Sequence, residues 1–87
     1  MADVHIPGTL PPLFPGLPRR LELEAATVDE AFDKLEERWP GFRDRLVQPG
    51  LGLRPHIHVY VNRERARLDT PIEPGARVDL ITAISGG

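Results

Sequence analysis

The chain has 87 residues, with 13 acidic against 11 basic side chains and a formal charge of -2, so it lacks the basic excess that binding to nucleic-acid phosphates requires. A chain this short buries only about 60–65% of its unfolded surface, which leaves no room for a deep substrate cavity beside a catalytic apparatus and argues against a self-contained enzyme. Its lack of cysteine excludes disulfides, thiolate metal sites and a thiol that acts as nucleophile or sulfur carrier.

The start, Met1-Ala2-Asp3-Val4-His5, has neither the basic nor the apolar region of a signal peptide, and no apolar run approaches membrane-spanning length. A cytoplasmic protein without membrane association is expected. Val4 and Ile6 then alternate with Asp3 and His5, a short half-buried strand. The proline-rich stretch Pro11-Pro12-Leu13-Phe14-Pro15-Gly16-Leu17-Pro18 cannot sustain a hydrogen-bond ladder and reads as a long hairpin loop. Its Leu13, Phe14 and Leu17 suit either packing beneath the domain or an exposed docking surface, and packing is expected, since a small domain needs every apolar contact. Leu21 and Leu23 alternate with Arg20, Glu22 and Glu24, which gives the second strand of the hairpin.

Thr27-Val28-Asp29-Glu30 has the form of a capping box. Behind it, Val28, Ala31, Phe32, Leu35 and Trp39 form one apolar helical stripe, with Asp29, Glu30 and Asp33 in the first turns where the helix dipole favours them. Pro40-Gly41 ends the helix, and Phe42 and Leu46 suggest one further turn before Gln48-Pro49-Gly50-Leu51-Gly52 loosens the chain. The carboxylates of this helix are read as a solvated face, with Glu30 and Lys34 paired one turn apart, and not as an acid/base pair.

Ile57, Val59 and Val61 alternate with His56, His58 and Tyr60 in the clearest strand. His56 and His58 have a spacing that some metal sites use, but a metal needs a third ligand and His5 is the only other histidine. No metal site is assigned. After Asn62, three arginines (Arg63, Arg65 and Arg67) recur on alternate positions and suit either an acidic partner or a solvated edge. Glu73-Pro74-Gly75 turns the chain into the last strand. There Val78, Leu80, Thr82 and Ile84 alternate with Asp79, Ile81 and Ala83, apolar enough on both faces for a central position. Beyond it stand Ser85, Gly86 and Gly87. Glycine lacks Cβ, so such an end can lie extended in a channel too narrow for other residues. Residues 84–87 can reach on the order of 13 Å at ~3.3–3.6 Å each. Alone, the Gly-Gly pair reads more readily as a frayed terminus.

The order strand, strand, helix, strand, short connection, strand, with a right-handed crossover through the helix, gives an α+β fold of the β-grasp, ubiquitin-like kind. A mixed sheet of four to five strands wraps one main helix over residues 1–84, followed by a flexible Ser-Gly-Gly tail at 85–87. On Trp39-Pro40-Gly41-Phe42-Arg43-Asp44-Arg45-Leu46, Val59-Tyr60-Val61-Asn62, Leu68-Asp69-Thr70-Pro71-Ile72 and Ala83-Ile84-Ser85-Gly86-Gly87, the chain resembles the MoaD/ThiS sulfur-carrier proteins. It departs from many relatives in having Thr82 where they place proline and Arg63-Glu64-Arg65 where they place a glycine-acid turn.

The resemblance implies a carrier, not an enzyme. The Gly87 carboxylate would be adenylated by a separate E1-like enzyme using ATP and magnesium, then converted to a thiocarboxylate that donates sulfur. Gly86, Ser85 and Ile84 would thread the tail, and Tyr60, Arg63, Arg65 and Arg67 would serve partner docking. The implied acceptors are enzymes such as the molybdopterin synthase large subunit, thiazole synthase or a cysteine synthase-like protein, with no cofactor bound by the carrier. A ubiquitin-like modifier joined to lysines through its terminal glycine, and a non-catalytic β-grasp interaction module, are the alternatives.

Overall fold

The computed structural model describes residues 1–83. The strands are β1 (Ala2–His5), β2 (Arg20–Leu23), β3 (Val47–Gln48), β4 (Gly52–Leu53), β5 (Ile57–Val61), β6 (Glu64–Ala66) and β7 (Arg77–Thr82), and the helices are α1 (Val28–Arg38) and α2 (Phe42–Leu46). Five strands form one sheet in the order β2-β1-β7-β5-β6, and β3 and β4 form a separate two-stranded ribbon. β1 and β7 run parallel, whereas β1–β2, β5–β7 and β5–β6 are antiparallel. This is the mixed sheet around one main helix expected of a β-grasp.

The helix starts where its chemistry says it should. Thr27 Oγ1 accepts from the Glu30 amide at 3.1 Å, while the Glu30 carboxylate reaches back to the Ala26 amide at 3.2 Å, so two donors at the helix start are satisfied by side chains. Val28, Ala31, Phe32, Leu35 and Trp39 are all buried, in one cluster with Val4, Val59, Val78 and Leu80 from the sheet. Gly41 takes a left-handed conformation (φ 95°) between the two helices, a backbone that glycine adopts without a Cβ clash. The Glu36 carboxylate then accepts from the amides of Gly41 and Arg43 at 2.9 and 2.8 Å. Those two bonds hold its pKa below the ordinary value.

The loop between β1 and β2 folds under the domain. Phe14 and Leu17 are buried, Phe14 sits 5.7 Å from the Phe42 ring, and Trp39 Nε1 donates to the Pro15 carbonyl at 3.2 Å. Leu13 differs: it is 47% exposed.

Two regions differ from the sequence reading. Residues 47–53 do not simply loosen, because Val47 pairs with Leu53 and Gln48 with Gly52, with Gly50 and Gly52 at positive φ. Residues 62–67, given no element from the sequence, form a hairpin with the end of β5. Asn62 (φ 49°) and Arg63 (φ 72°) make a two-residue turn of the kind that closes tight hairpins, and β6 returns alongside β5. Asn62 also anchors β7, its Oδ1 accepting from the Arg77 amide at 2.9 Å and its amide donating to the Arg77 carbonyl at 2.8 Å.

Candidate functional site: the end of the central strand

β7 is central for only half its length. Arg77, Val78 and Asp79 lie between β1 and β5, but β1 pairs no further than His5 opposite Asp79. From Leu80 onward the strand pairs only with β5, Leu80 facing Val59, Ile81 facing His58 and Thr82 facing Ile57. A fully flanked strand therefore becomes one-sided as it approaches residues 84–87. The Ala83 amide donates to the His56 carbonyl at 2.7 Å, and the hydroxyls of Thr82 and Thr9 meet at 3.0 Å. These two links hold the base of the tail.

Around that base, Thr9, Leu10, Leu13, Arg45, His56 and Ile57 line an open cleft of about 460 Å³ with Thr82 and Ala83. On the opposite, outer face of the sheet, Ile81 is 43% exposed beside half-buried His58. Exposed leucine and isoleucine thus stand on either side of the strand just before the tail. Apolar side chains placed there can take up a partner's surface.

The remainder of the outer face is charged but internally compensated. Across the strands, Arg20, His5, Asp79, Tyr60 and Arg65 form one row. Arg20 donates twice to Asp3, at 2.8 and 3.0 Å, and Asp3 lies 3.1 Å from His5 Nε2. The Arg20 hydrogen bonds, aided by His5, hold the Asp3 carboxyl below its ordinary pKa, because the charged form is the one they stabilise. Arg77 grips both oxygens of Asp79 at 2.9–3.1 Å. Ile81 stays exposed near the tail base, and Arg65 at the far edge has no ion-pair partner among the described residues.

The sequence-proposed docking residues do not form one cluster. Tyr60 and Arg65 are cross-strand neighbours on the outer face. Arg63 lies in the turn at the opposite end of the sheet from Thr82, since Val61 pairs with Val78 at the start of β7. Arg67 follows β6, exposed, with Asp69 at 3.7 Å. Ile84, Ser85, Gly86 and Gly87 lie outside the described residues. His56 precedes β5 and lines the cleft at the tail base, whereas His58 lies on the outer face, so the two do not share the face that their spacing suggested, and β7 separates His5 from them. No group of three His, Cys, Asp or Glu side chains is placed to hold a metal ion among the described residues. The sequence assigned no functional role to Thr9, Arg45 or Ile81. Thr9 and Arg45, with the exposed Leu13, come from distant segments brought to the tail base by the fold, and Ile81 was visible only as part of the last strand.

No helix among the described residues is long and apolar enough to cross a membrane. A search of curated protein sequences found no match. Solved structures do match. A chain of the BexX/CysO complex of Amycolatopsis orientalis is 32% identical, with all of both chains covered and a TM-score of 0.88. CysO of Mycobacterium tuberculosis is 27% identical over 97% of this chain and 100% of its own, with a TM-score of 0.85. SAMP1 of Haloferax volcanii is 27% identical over 99% and 98%, with a TM-score of 0.76. The model of the ThiS family matches residues 12–87. With the β-grasp sheet, the single main helix and this family match together, the chain belongs to the ThiS family, the ubiquitin-like sulfur carriers of the MoaD/ThiS type.

Proposed function

We propose that the protein is a sulfur carrier that works through the carboxylate of Gly87. The observation that carries this reading is that the ThiS family match runs from residue 12 through Gly87, so it includes the whole Ile84-Ser85-Gly86-Gly87 end. A carboxylate is a poor electrophile. Its oxygen attacks the α-phosphorus of ATP on a separate E1-like enzyme, with magnesium, and pyrophosphate leaves. Hydrosulfide then adds to the acyl carbon, AMP departs, and loss of a proton leaves the thiocarboxylate. With a persulfide as donor, a thiol must afterwards reduce the sulfur–sulfur bond. The thiocarboxylate, ionised at neutral pH, is the nucleophile presented to an acceptor enzyme.

The carrier's own residues supply position and no catalysis. Gly86 and Gly87 fit a narrow channel, Ser85 and Ile84 set the tail's path, and the one-sided end of β7 delivers it at high effective concentration. Ile81, His58 and Tyr60 form the docking face nearest the tail, with Arg65 at its edge and Arg67 beyond it; Arg63, at the far turn, touches a partner only if that partner spans the sheet. The complex of CysO with BexX supports whole-domain docking on a partner protein.

A second reading is favoured by the likeness to SAMP1, whose name in related structures is small archaeal modifier protein 1. In that reading a lysine amine attacks the activated Gly87 and forms an isopeptide bond. The test for both begins with the activating enzyme. Gly87-dependent ATP–pyrophosphate exchange supports tail activation, and exchange that persists after Gly87 is removed refutes it. Product analysis with sulfide or with a lysine-bearing acceptor then separates carrier from modifier.

A further inference from the structure

Away from the outer face, the β3–β4 ribbon and the end of β6 enclose an open cleft of about 670 Å³. Its floor is apolar, with Ile57 buried and Leu53 and Leu68 partly buried against the core. Leu51 stands at its lip, 76% exposed. Arg54, Arg65 and Arg67 line it against a single acid, Asp69, although the whole chain carries a formal charge of -2.

Two of these arginines have their charge free for a partner. Arg65 pairs with no acid among the described residues, and the Arg67–Asp69 pair is long, at 3.7 Å, with both side chains over four-fifths exposed. Such a pair is weak in water and easily exchanged. Arg54 is fixed in place, its Nε donating to the Asp44 carbonyl at 2.8 Å.

The cleft also offers a sheet edge. β6 stops at Ala66, opposite Val59. Continued in register, its next two residues would cover His58 and Ile57, but the chain turns away and the Leu68 and Thr70 carbonyls accept instead from the Asp29 and Val28 amides of α1, at 2.8 and 3.1 Å. On the side of β5 away from β7, Ile57 has no neighbouring strand; its amide already donates to the Arg54 carbonyl at 2.9 Å, so an added chain meets this edge through the Ile57 carbonyl.

From these features we infer that this cleft docks an extended acidic segment of a partner protein. Apolar side chains of the segment rest on Leu53, Ile57 and Leu68, its backbone meets β5 at the Ile57 carbonyl, and its carboxylates meet Arg54, Arg65 and Arg67. Ile57 also lines the cleft at the end of β7 with Thr82 and Ala83, so the occupant is held next to that end. The assignment does not rest on the chemistry proposed at Gly87.

The test is titration of the isotope-labelled full chain with a synthetic peptide alternating Asp or Glu with Ile and Val, followed by two-dimensional amide NMR. A second peptide carries Lys in place of every acid. The inference predicts saturable shifts confined to residues 51–54, 57–58 and 65–68 and no such shifts with the lysine peptide. It also predicts roughly tenfold or greater weakening in the Arg65→Glu/Arg67→Glu double variant, whose own spectrum verifies its fold. Absence of shifts in those residues, equal response to both peptides, or unchanged binding by the double variant overturns it. So does self-association through the same residues that Leu51→Ser abolishes, since the cleft then belongs to a second copy of the chain.

Discussion

The two ends of β7 are held in opposite ways. At its start, Arg77 exchanges two hydrogen bonds with Asn62, the Ala76 carbonyl accepts from the Asp3 amide at 2.8 Å and the Met1 carbonyl from the Gly75 amide at 2.9 Å. Strands lie on both sides there. At its finish, only β5 remains alongside, and the Ala83–His56 bond and the Thr82–Thr9 hydroxyl contact are the last ties. The difference assigns the strand two tasks. Its first half belongs to the core, and its second half is a spar held from one side as far as Ala83.

The largest effect expected from breaking this arrangement comes from the packing under the spar. Phe42 is fully buried, between Phe14 of the β1–β2 loop and Phe32 of α1. Phe42→Ala should cost about 3–5 kcal/mol, read as a lower urea midpoint, and should free the loop that carries Thr9 and Leu13. At the anchored end, Asn62→Ala removes the acceptor for the Arg77 amide and places alanine at positive φ. A loss of about 1–2 kcal/mol is expected, with faster amide exchange along β6 and the first half of β7. At the finish, Thr82→Val deletes an exposed hydroxyl contact. It should change stability by no more than about 0.5 kcal/mol while speeding exchange at Ala83. Equal costs for the Asn62 and Thr82 variants would erase the contrast between the two ends.

The mildest effect is with acid. Asp3 and Glu36 have folded pKa values below their ordinary ones, Asp3 chiefly through Arg20 and Glu36 through the Gly41 and Arg43 amides. Folding therefore favours their charged forms, and the stability they contribute is complete above the unfolded carboxylate range. It is lost as pH falls below about 4 and through the folded values. Urea midpoints measured against pH should decline more gently for Asp3→Asn and Glu36→Gln than for the parent chain.

Much of the scaffold was legible because it rests on long periodic signals. The stripe of Val28, Ala31, Phe32, Leu35 and Trp39 could only be one helix face, and the last strand is central as its apolar pattern suggested, although the part flanked on both sides is its first half and not the apolar second half. β6 was not legible, since a three-residue strand with only Ala66 turned inward carries no alternation. Nor were the two-residue strands β3 and β4, whose turn reads in sequence as glycine and proline punctuation. The tail motif was readable as a motif. Its surroundings were not: Thr9 and Leu13 come from the β1–β2 loop, Arg45 from α2 and His56 from the turn before β5, and only the folded chain brings them to the base of β7. The sequence grouped Tyr60, Arg63, Arg65 and Arg67 by proximity along the chain, whereas the turn at Asn62 and Arg63 sends Arg63 to the end of the sheet opposite the tail.

The most direct test of the account is intact-protein mass spectrometry of the chain after incubation with its activating enzyme, ATP and a sulfide source. The account predicts a gain of about 16 Da, one oxygen replaced by sulfur, that disappears when Gly87 is deleted. An unchanged mass under conditions in which the enzyme adenylates the chain would contradict the sulfur-carrier reading, and isopeptide adducts on other proteins in the same reaction would assign the tail to conjugation.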